Sequence, residues 1–220
     1  TLEEVVARNY IINEKPDAVL NIVDGTNIER NLYLTTQVIE LGVPVVIAVN
    51  MMDIVRKNGD SINTEMLAEN LGCPVVEISA LKGTGIDDAA KAVVKAAHSK
   101  KAATIVHRFA DTVEEKIFAV ESKIDADVTQ EQKRFFAIKL LEKDEMMKAL
   151  MKTAPDVTEE INALEEQFDD DTESIITNER YTYISSVIKN CVHKSSKGEK
   201  LTISDKIDKI VTNRILALPI

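Results

Sequence analysis

The sequence predicts an α/β domain built on a parallel sheet, followed by an all-α helical subdomain. Two observations predict the first part. Helical and strand patterns alternate through about residue 100, and each strand reads as a continuous apolar run, as strands buried on both faces should. A third predicts the second part: from about Thr104 onward the strand signal disappears and apolar residues recur at three- and four-residue spacing.

Taken in order, residues 2–13 carry a helical pattern, opened by a capping box of Thr1 and Glu4. An apolar strand follows over 18–23, a helix over 28–41, a second strand over 43–49, a helix over 64–71, a third strand over 74–78 and a helix over 86–97. Asp17, Gly25, Gly42, Pro44, Gly72, Pro74, Gly83 and Gly85 stand at the borders, where turns are needed. Beyond residue 104, "TVEEKIFAVESKI", "QKRFFAIKLLEKDEMMKALM" and "EINALEEQF" each present one apolar face and must bury it against another helix. Pro155 and Asp169–Asp170–Asp171 mark helix ends, and "SSKGEK" is a loop by composition.

With 220 residues, 45 % of them hydrophobic, the chain can bury a real core. Its 37 acidic and 27 basic side chains leave a net charge of −10, which repels nucleic acid backbones, and no basic patch reverses the sign locally. Nucleic acid is therefore not an expected partner. Cys73 and Cys191 are far apart and share no metal-ligand spacing, so two free thiols in a reducing compartment are expected. Neither cysteine makes a convincing metal spacing with His98, His107 or His193, and no metal site is assigned. No apolar run approaches the roughly 18 residues of a membrane span. The absence of a starting Met and the closing "ILALPI" are the marks expected of a piece of something longer.

Ligands of open parallel sheets sit beyond the carboxyl ends of the strands. The exits here are "VDGTN", "VNMMD" and "ISALKGTG". Asn50 and Asp53, on one turn after a buried strand, suit guanine. A carboxylate accepts from N1–H and the exocyclic N2–H2, an amide contacts the N7 side, and Met51 offers apolar area to the ring. A backbone N–H at Ser79–Ala80 would then donate to O6. Adenine would place a donor against a donor there, at a cost of about 1–3 kcal/mol per buried mismatch. The plainer reading makes Asn50 and Asp53 turn and capping residues only.

These residues carry a family resemblance. "VNMMD" resembles the fourth guanine-binding motif of small GTPases, usually Asn-Lys-x-Asp, and "SALKG" resembles the fifth, usually Ser-Ala-Lys. Within that superfamily, "DGTNIERNLYLTTQVIELGVPVVIAVNMMD" and "LGCPVVEISALKGTGID" are similar to the bacterial ferrous iron transport protein B family. So are "FFAIKLLEKD", "ESIITNERYTYI" and "SDKIDKIVTNRILALPI", so the resemblance spans essentially the whole chain. The resemblance implies a partial P-loop GTPase-type sheet over residues 1–100, a helical domain like a guanine-dissociation inhibitor over 101–214, and the start of a membrane junction over 215–220. It also implies GTP or GDP as ligand, read by Asn50, Met51, Asp53, Ser79, Ala80 and Leu81. Met51 replaces the usual lysine of the fourth motif, which implies weak binding and fast exchange; Leu81 replaces that of the fifth, which implies that this motif acts mainly through backbone N–H groups.

No Gly-x-x-x-x-Gly-Lys-Ser/Thr run is present, nor the Asp-x-x-Gly motif expected before the first helix. In this class those parts hold the phosphates, Mg²⁺ and attacking water. The expectation is a chain with the base-reading half of a site, no catalytic residue of its own and no GTP hydrolysis alone, its Mg²⁺ ligands lying in a missing N-terminal segment. The 18–23 strand would then lack a sheet partner. Implied partners are the membrane domain of the same polypeptide, small Feo accessory proteins and a second copy of the chain, at the cytoplasmic face of the bacterial membrane. Two alternatives stay open: a soluble regulatory GTPase, and an α/β interaction module that binds no nucleotide.

Overall fold

The computed structural model describes residues 2–126 and 128–195. Helix α1 (Leu2–Glu14) leads to strand β1 (Val19–Asp24), helix α2 (Ile28–Glu40), strand β2 (Val45–Asn50) and a short helix α3 (Met52–Asn58). Strand β3 (Ser61–Ile62), α4 (Thr64–Leu71), β4 (Val75–Glu77) and α5 (Ile86–Ser99) complete the first half. Residues 101–110 form no regular element; α6 (Asp111–Lys123), α7 (Gln130–Leu141), α8 (Glu145–Leu150), α9 (Thr158–Phe168) and α10 (Thr172–Cys191) follow, and β5 (Val192–His193) closes the described chain. Among the described residues no strand lies between Val113 and Ile188, as the helical periodicity requires. The side-chain capping box of Thr1 and Glu4, and the membrane lead-in expected over 207–220, lie outside the described residues.

The three long strands pair in parallel in the order β1-β2-β4. Central β2 is buried on both faces by its alternation: Val45, Ile47 and Val49 join the main core, whereas Ala48 meets Ala89, Ile78 and Val76 beneath α5. The edge strand corrects one expectation. Leu20 and Ile22 are 37 % and 57 % exposed, so β1 is buried on one face only. Its other face turns Val23 inward and lets Asn21 Nδ2 donate to Thr35 Oγ1 of α2 at 2.8 Å. Helix α5 lies chiefly over β2 and reaches β1 less, which leaves the Leu20 side of β1 only partly covered.

Three further departures have physical reasons. The continuous helix expected through "LLEKDEMM" breaks at Lys143, whose φ is +60°, and restarts at α8 because Asp144 caps the Met146 and Met147 amides. Residues 101–110 are not helical but are laid against the sheet domain, with Thr104 N–H donating to Gly72 C=O at 3.0 Å. Gly72, at φ +68°, is required there, since a Cβ would stand 1.9 Å from the Thr104 carbonyl oxygen. Cys191 and His193, two apart and expected on different faces of one helix, are divided: Cys191 ends α10, and His193 sits on β5, which pairs antiparallel with β3.

One apolar cluster runs without interruption from Val45, Ile47 and Val49 through α2 into Phe135, Leu140, Ile176 and Ile184 of the helical half. A fully buried ionic group lies across the same joint. Arg180 of α10 grips Glu40, the last residue of α2, with Nη1 to Oε1 at 3.0 Å and Nη2 to Oε2 at 2.7 Å. His107 Nε2 reaches the same Oε1 at 2.7 Å, and Thr36 Oγ1 accepts from Arg180 Nη1 at 3.2 Å. Burial alone would push the Glu40 carboxyl up; the Arg180 charge and the His107 bond override it and hold the group at about 2.

Candidate guanine-recognition site

The register aligns Asp24 with Asn50 and Val49 with Glu77, so the exits of β1, β2 and β4 open on one edge of the sheet. Beyond β2 the backbone turns through Met51, a left-handed residue at φ +62°, and starts α3 at once. This sharp turn explains how Asn50 and Asp53 come to face the same side, with Met51 pushed outward at 39 % exposure. Met52 N–H donates to Ile78 C=O at 3.3 Å and pins the turn to the β4 exit.

The β4 exit is a tight loop closed by Ser79 and Thr84, which exchange backbone hydrogen bonds at 3.0 and 3.2 Å. Gly85 permits it: its φ is +75°, and a Cβ would approach the Glu77 carbonyl oxygen to 2.1 Å. The loop then locks onto the turn after β2 through side chains. Ser79 Oγ donates to Asp53 Oδ1 at 2.8 Å, and the Ala80 N–H donates to Asn50 Oδ1 at 3.0 Å. The Ser79 hydroxyl first, against a smaller cost of burial, and Lys82 beside it hold the Asp53 carboxyl below the ordinary range. At neutral pH the site presents a carboxylate.

Five of the six residues singled out from sequence converge: Asn50, Met51, Asp53, Ser79 and Ala80. Leu81 lies on the same loop with its side chain 91 % exposed, which leaves its backbone as the part that faces the site. The Ala80 N–H is also engaged with Asn50 rather than left open toward a base. One participant was missed. Lys82 Nζ stands 3.4 Å from Asp53 Oδ2, so a lysine one position further along than the usual motif supplies a cation beside the carboxylate. The signal was present in "SALK", read one residue too early. Among the described residues, no group of three or more His, Cys, Asp or Glu could hold a metal ion, and no helix is long and apolar enough to cross a membrane.

The parallel sheet, its exits on one edge and the attached helical half define a G domain joined to a helical domain. Comparison with known proteins agrees. Residues 1–93 match the family model described as ferrous iron transport protein B, and residues 109–193 match that of the FeoB cytosolic helical domain. Among curated relatives, the Fe(2+) transporter FeoB of Escherichia coli is 32 % identical over 100 % of this chain. The Fe(2+) transport protein A/Fe(2+) transporter FeoB fusion protein of Porphyromonas gingivalis is 35 % identical over 99 % of it. The chain spans 28 % of the length of each. Among solved structures, mGMPPNP-bound NFeoB from S. thermophilus is 39 % identical with a TM-score of 0.77, covering 90 % of this chain and 76 % of that one. NFeoB from the same source bound to GDP, AlF4⁻ and K⁺ is 41 % identical with a TM-score of 0.76, covering 86 % and 75 %. The chain belongs to the FeoB family of ferrous iron transport proteins.

Proposed function

We propose that this chain carries the base-recognition half of a guanine-nucleotide site within the cytoplasmic region of a membrane Fe(II) uptake transporter. The observation that carries the reading is the interlock of two strand exits: Ser79 orients one oxygen of Asp53, and Ala80 orients the amide of Asn50. Residues that served only as caps would not need to be fixed from another loop. With Asn50 Oδ1 held by Ala80, the amide nitrogen is left as the donor for N7. The carboxylate of Asp53 accepts from N1–H and N2–H2, and Met51 covers the ring. The nucleotide and transition-state analogues bound in the S. thermophilus structures support the same ligand class.

On this reading residues 1–100 are part of a G domain, 101–214 a helical regulatory domain and 215–220 the start of a junction to the membrane domain. The phosphate contacts and Mg²⁺ ligands come from residues beyond this chain, and GTP hydrolysis belongs to the larger protein. The membrane domain of the same polypeptide is the primary partner; the fusion of transport protein A to FeoB in P. gingivalis supports small Feo proteins as others.

The test is the base itself. In a polypeptide extended at both ends to the length of its relatives, Asp53→Asn sets an amide donor against guanine donors and should lower affinity for GTP on the order of a hundredfold. Xanthosine triphosphate, with an oxygen where guanine has N2–H2, should gain relative to GTP. Competition titrations of both nucleotides decide it. An unchanged preference for GTP returns Asn50 and Asp53 to the role of turn residues.

A further inference from the structure

The net charge of −10 is spread unevenly along the chain. No acidic residue stands between Ala89 and Ala110, and this stretch carries Lys91, Lys95, Lys100 and Lys101. The fold gathers them. Helix α5 buries Ala89 against the sheet and leaves Ala90, Lys91, Val94, Lys95 and His98, at three- and four-residue spacing, to line one shallow trough on its outer face. Lys100, the left-handed cap of α5, and Lys101 follow at its end, both exposed. Among the described residues none of the four lysines forms an ion pair. The acids nearest in sequence on this helix, Asp87 and Asp88, lie in its first turn, before Lys91. The expectation that no basic patch reverses the sign locally is thereby corrected for this one face.

The position of the patch matters. Helix α5 starts from the β4 exit loop and runs back along the sheet, so its last turn lies at the strand entries. There Ala103 N–H donates to Val43 C=O at 3.4 Å and Thr104 N–H to Gly72 C=O at 3.0 Å, just ahead of β2 and β4. Lys100 and Lys101 therefore stand at the edge opposite Asn50 and Asp53, and an occupant of this face leaves the strand exits open.

Exposed cations without partners on an amphipathic helix call for an anionic surface. Val94, 54 % exposed between Lys91 and Lys95, narrows the choice to lipid. At a headgroup boundary a short alkyl group enters the apolar side while the ammonium groups meet phosphates. Single-stranded nucleic acid is held on aromatic platforms, and α5 carries no Phe, Tyr or Trp. The acids elsewhere in the chain do not decide the matter, because exposed charges more than about 8 Å away are largely screened at physiological salt.

We propose that the outer face of α5, with Lys91, Lys95, Lys100 and Lys101 around Ala90 and Val94, is a contact surface for anionic lipid headgroups. The proposal rests on the reading of this chain as the cytoplasmic part of a membrane protein, and it is independent of nucleotide recognition. A domain tethered to a membrane meets lipid at high effective concentration, so a weak contact is enough to orient it.

The test sediments the 220-residue chain with vesicles of phosphatidylcholine alone and of phosphatidylcholine mixed with phosphatidylglycerol. Each lysine near an anionic surface strengthens binding about fivefold, so four should give half-saturation at about 1 mM accessible phosphatidylglycerol. Neutral vesicles should bind at least about tenfold more weakly, and raising the salt from about 0.1 to about 1 M should remove most of the difference. Changing Lys91, Lys95, Lys100 and Lys101 together to Gln should lower binding to the mixed vesicles at least about tenfold, since glutamine keeps helix propensity but not charge. The same four-charge change at the unpaired Lys57, Lys116, Lys152 and Lys189 should leave it within about twofold. Melting curves establish that both variants are folded; should the first not fold, Lys100→Gln with Lys101→Gln, beyond the last turn of α5, should still lower binding about tenfold or more. Equal binding to neutral vesicles, indifference to salt, equal losses in the two four-lysine variants, or tighter binding of a single-stranded oligonucleotide at matched phosphate would each overturn the proposal. The membrane reading is checked separately, by recovery of the extended polypeptide in alkali-washed membranes. Recovery there without vesicle binding by the 220-residue chain overturns the lipid face alone, whereas recovery in the soluble fraction removes the reading and the lipid face with it.

Discussion

Glu40→Gln tests how the two halves are held together. In the native chain Glu40 Oε1 accepts from Arg180 and bonds His107, and Oε2 accepts from Arg180 a second time. Glutamine keeps the shape but removes the charge and turns an N–H group toward donors. The size of the effect follows in two ways. A carboxyl lowered from 4.5 to about 2 on folding adds about 3 kcal/mol of stability at neutral pH. Breaking a buried ion pair on one side costs about 3–5 kcal/mol, because the remaining charge is left unpaired. The two figures agree, so a loss of about 3–4 kcal/mol is expected at pH 7. Since the folded value is depressed, this stability is fully present above pH 4.5 and is lost as the pH falls from there through about 2. Urea unfolding of native and variant chains from neutral to acid pH should therefore give curves whose separation shrinks below 4.5. Adding Arg180→Met should recover part of the loss, as the orphaned guanidinium is then gone. A difference under about 1 kcal/mol at pH 7, or one that acid does not diminish, would refute the assignment of Glu40 as the ionic anchor of the joint.

Three other outcomes are expected. Gly72→Ala places a Cβ 1.9 Å from the Thr104 carbonyl oxygen at a left-handed residue, and should cost more than about 2 kcal/mol, read as a fall of about 5 °C or more in the thermal midpoint. Ser79→Ala removes the bond that does most to keep Asp53 ionised, so the carboxyl should titrate at higher pH, followed by its ¹³C shift. The Cys73 thiol is buried and pushed up to about 12, so Ellman's reagent should leave it untouched at neutral pH until the chain is unfolded with urea.

The sheet and the turn after β2 were legible for the same reason: both are written in short stretches of chain. Largely apolar runs at 18–23, 43–49 and 74–78, broken only by Asn21 and Glu77 and separated by helical periodicity, leave little choice but parallel strands and crossovers. Asn50 and Asp53 stood out because polar residues interrupt such a run where a sheet places its ligands. The pattern could not say that β1 is covered on one face, since Leu20 and Ile22 look like core residues whether or not a helix lies over them. Strands of two residues, β3 and β5, are shorter than any period a sequence can display.

The joint between the halves was invisible for a deeper reason. His107 and Arg180 stand 67 and 140 positions from Glu40. Each alone reads as a solvated charge, because isolated Glu and Arg side chains are almost never buried. Only the fold supplies the partners that make burial tolerable, and the apolar cluster continuous from β2 to α10 supplies the low-dielectric surroundings in which the pair must stay matched. Lys82 shows the same limit at the candidate site. Its position one residue beyond the usual motif looks like a lost lysine until the loop closed by Ser79 and Thr84 brings the ammonium within 3.4 Å of Asp53. A motif counts positions along the chain, whereas Asp53 responds to distance, so the cation that matters to its carboxylate is the one the loop delivers.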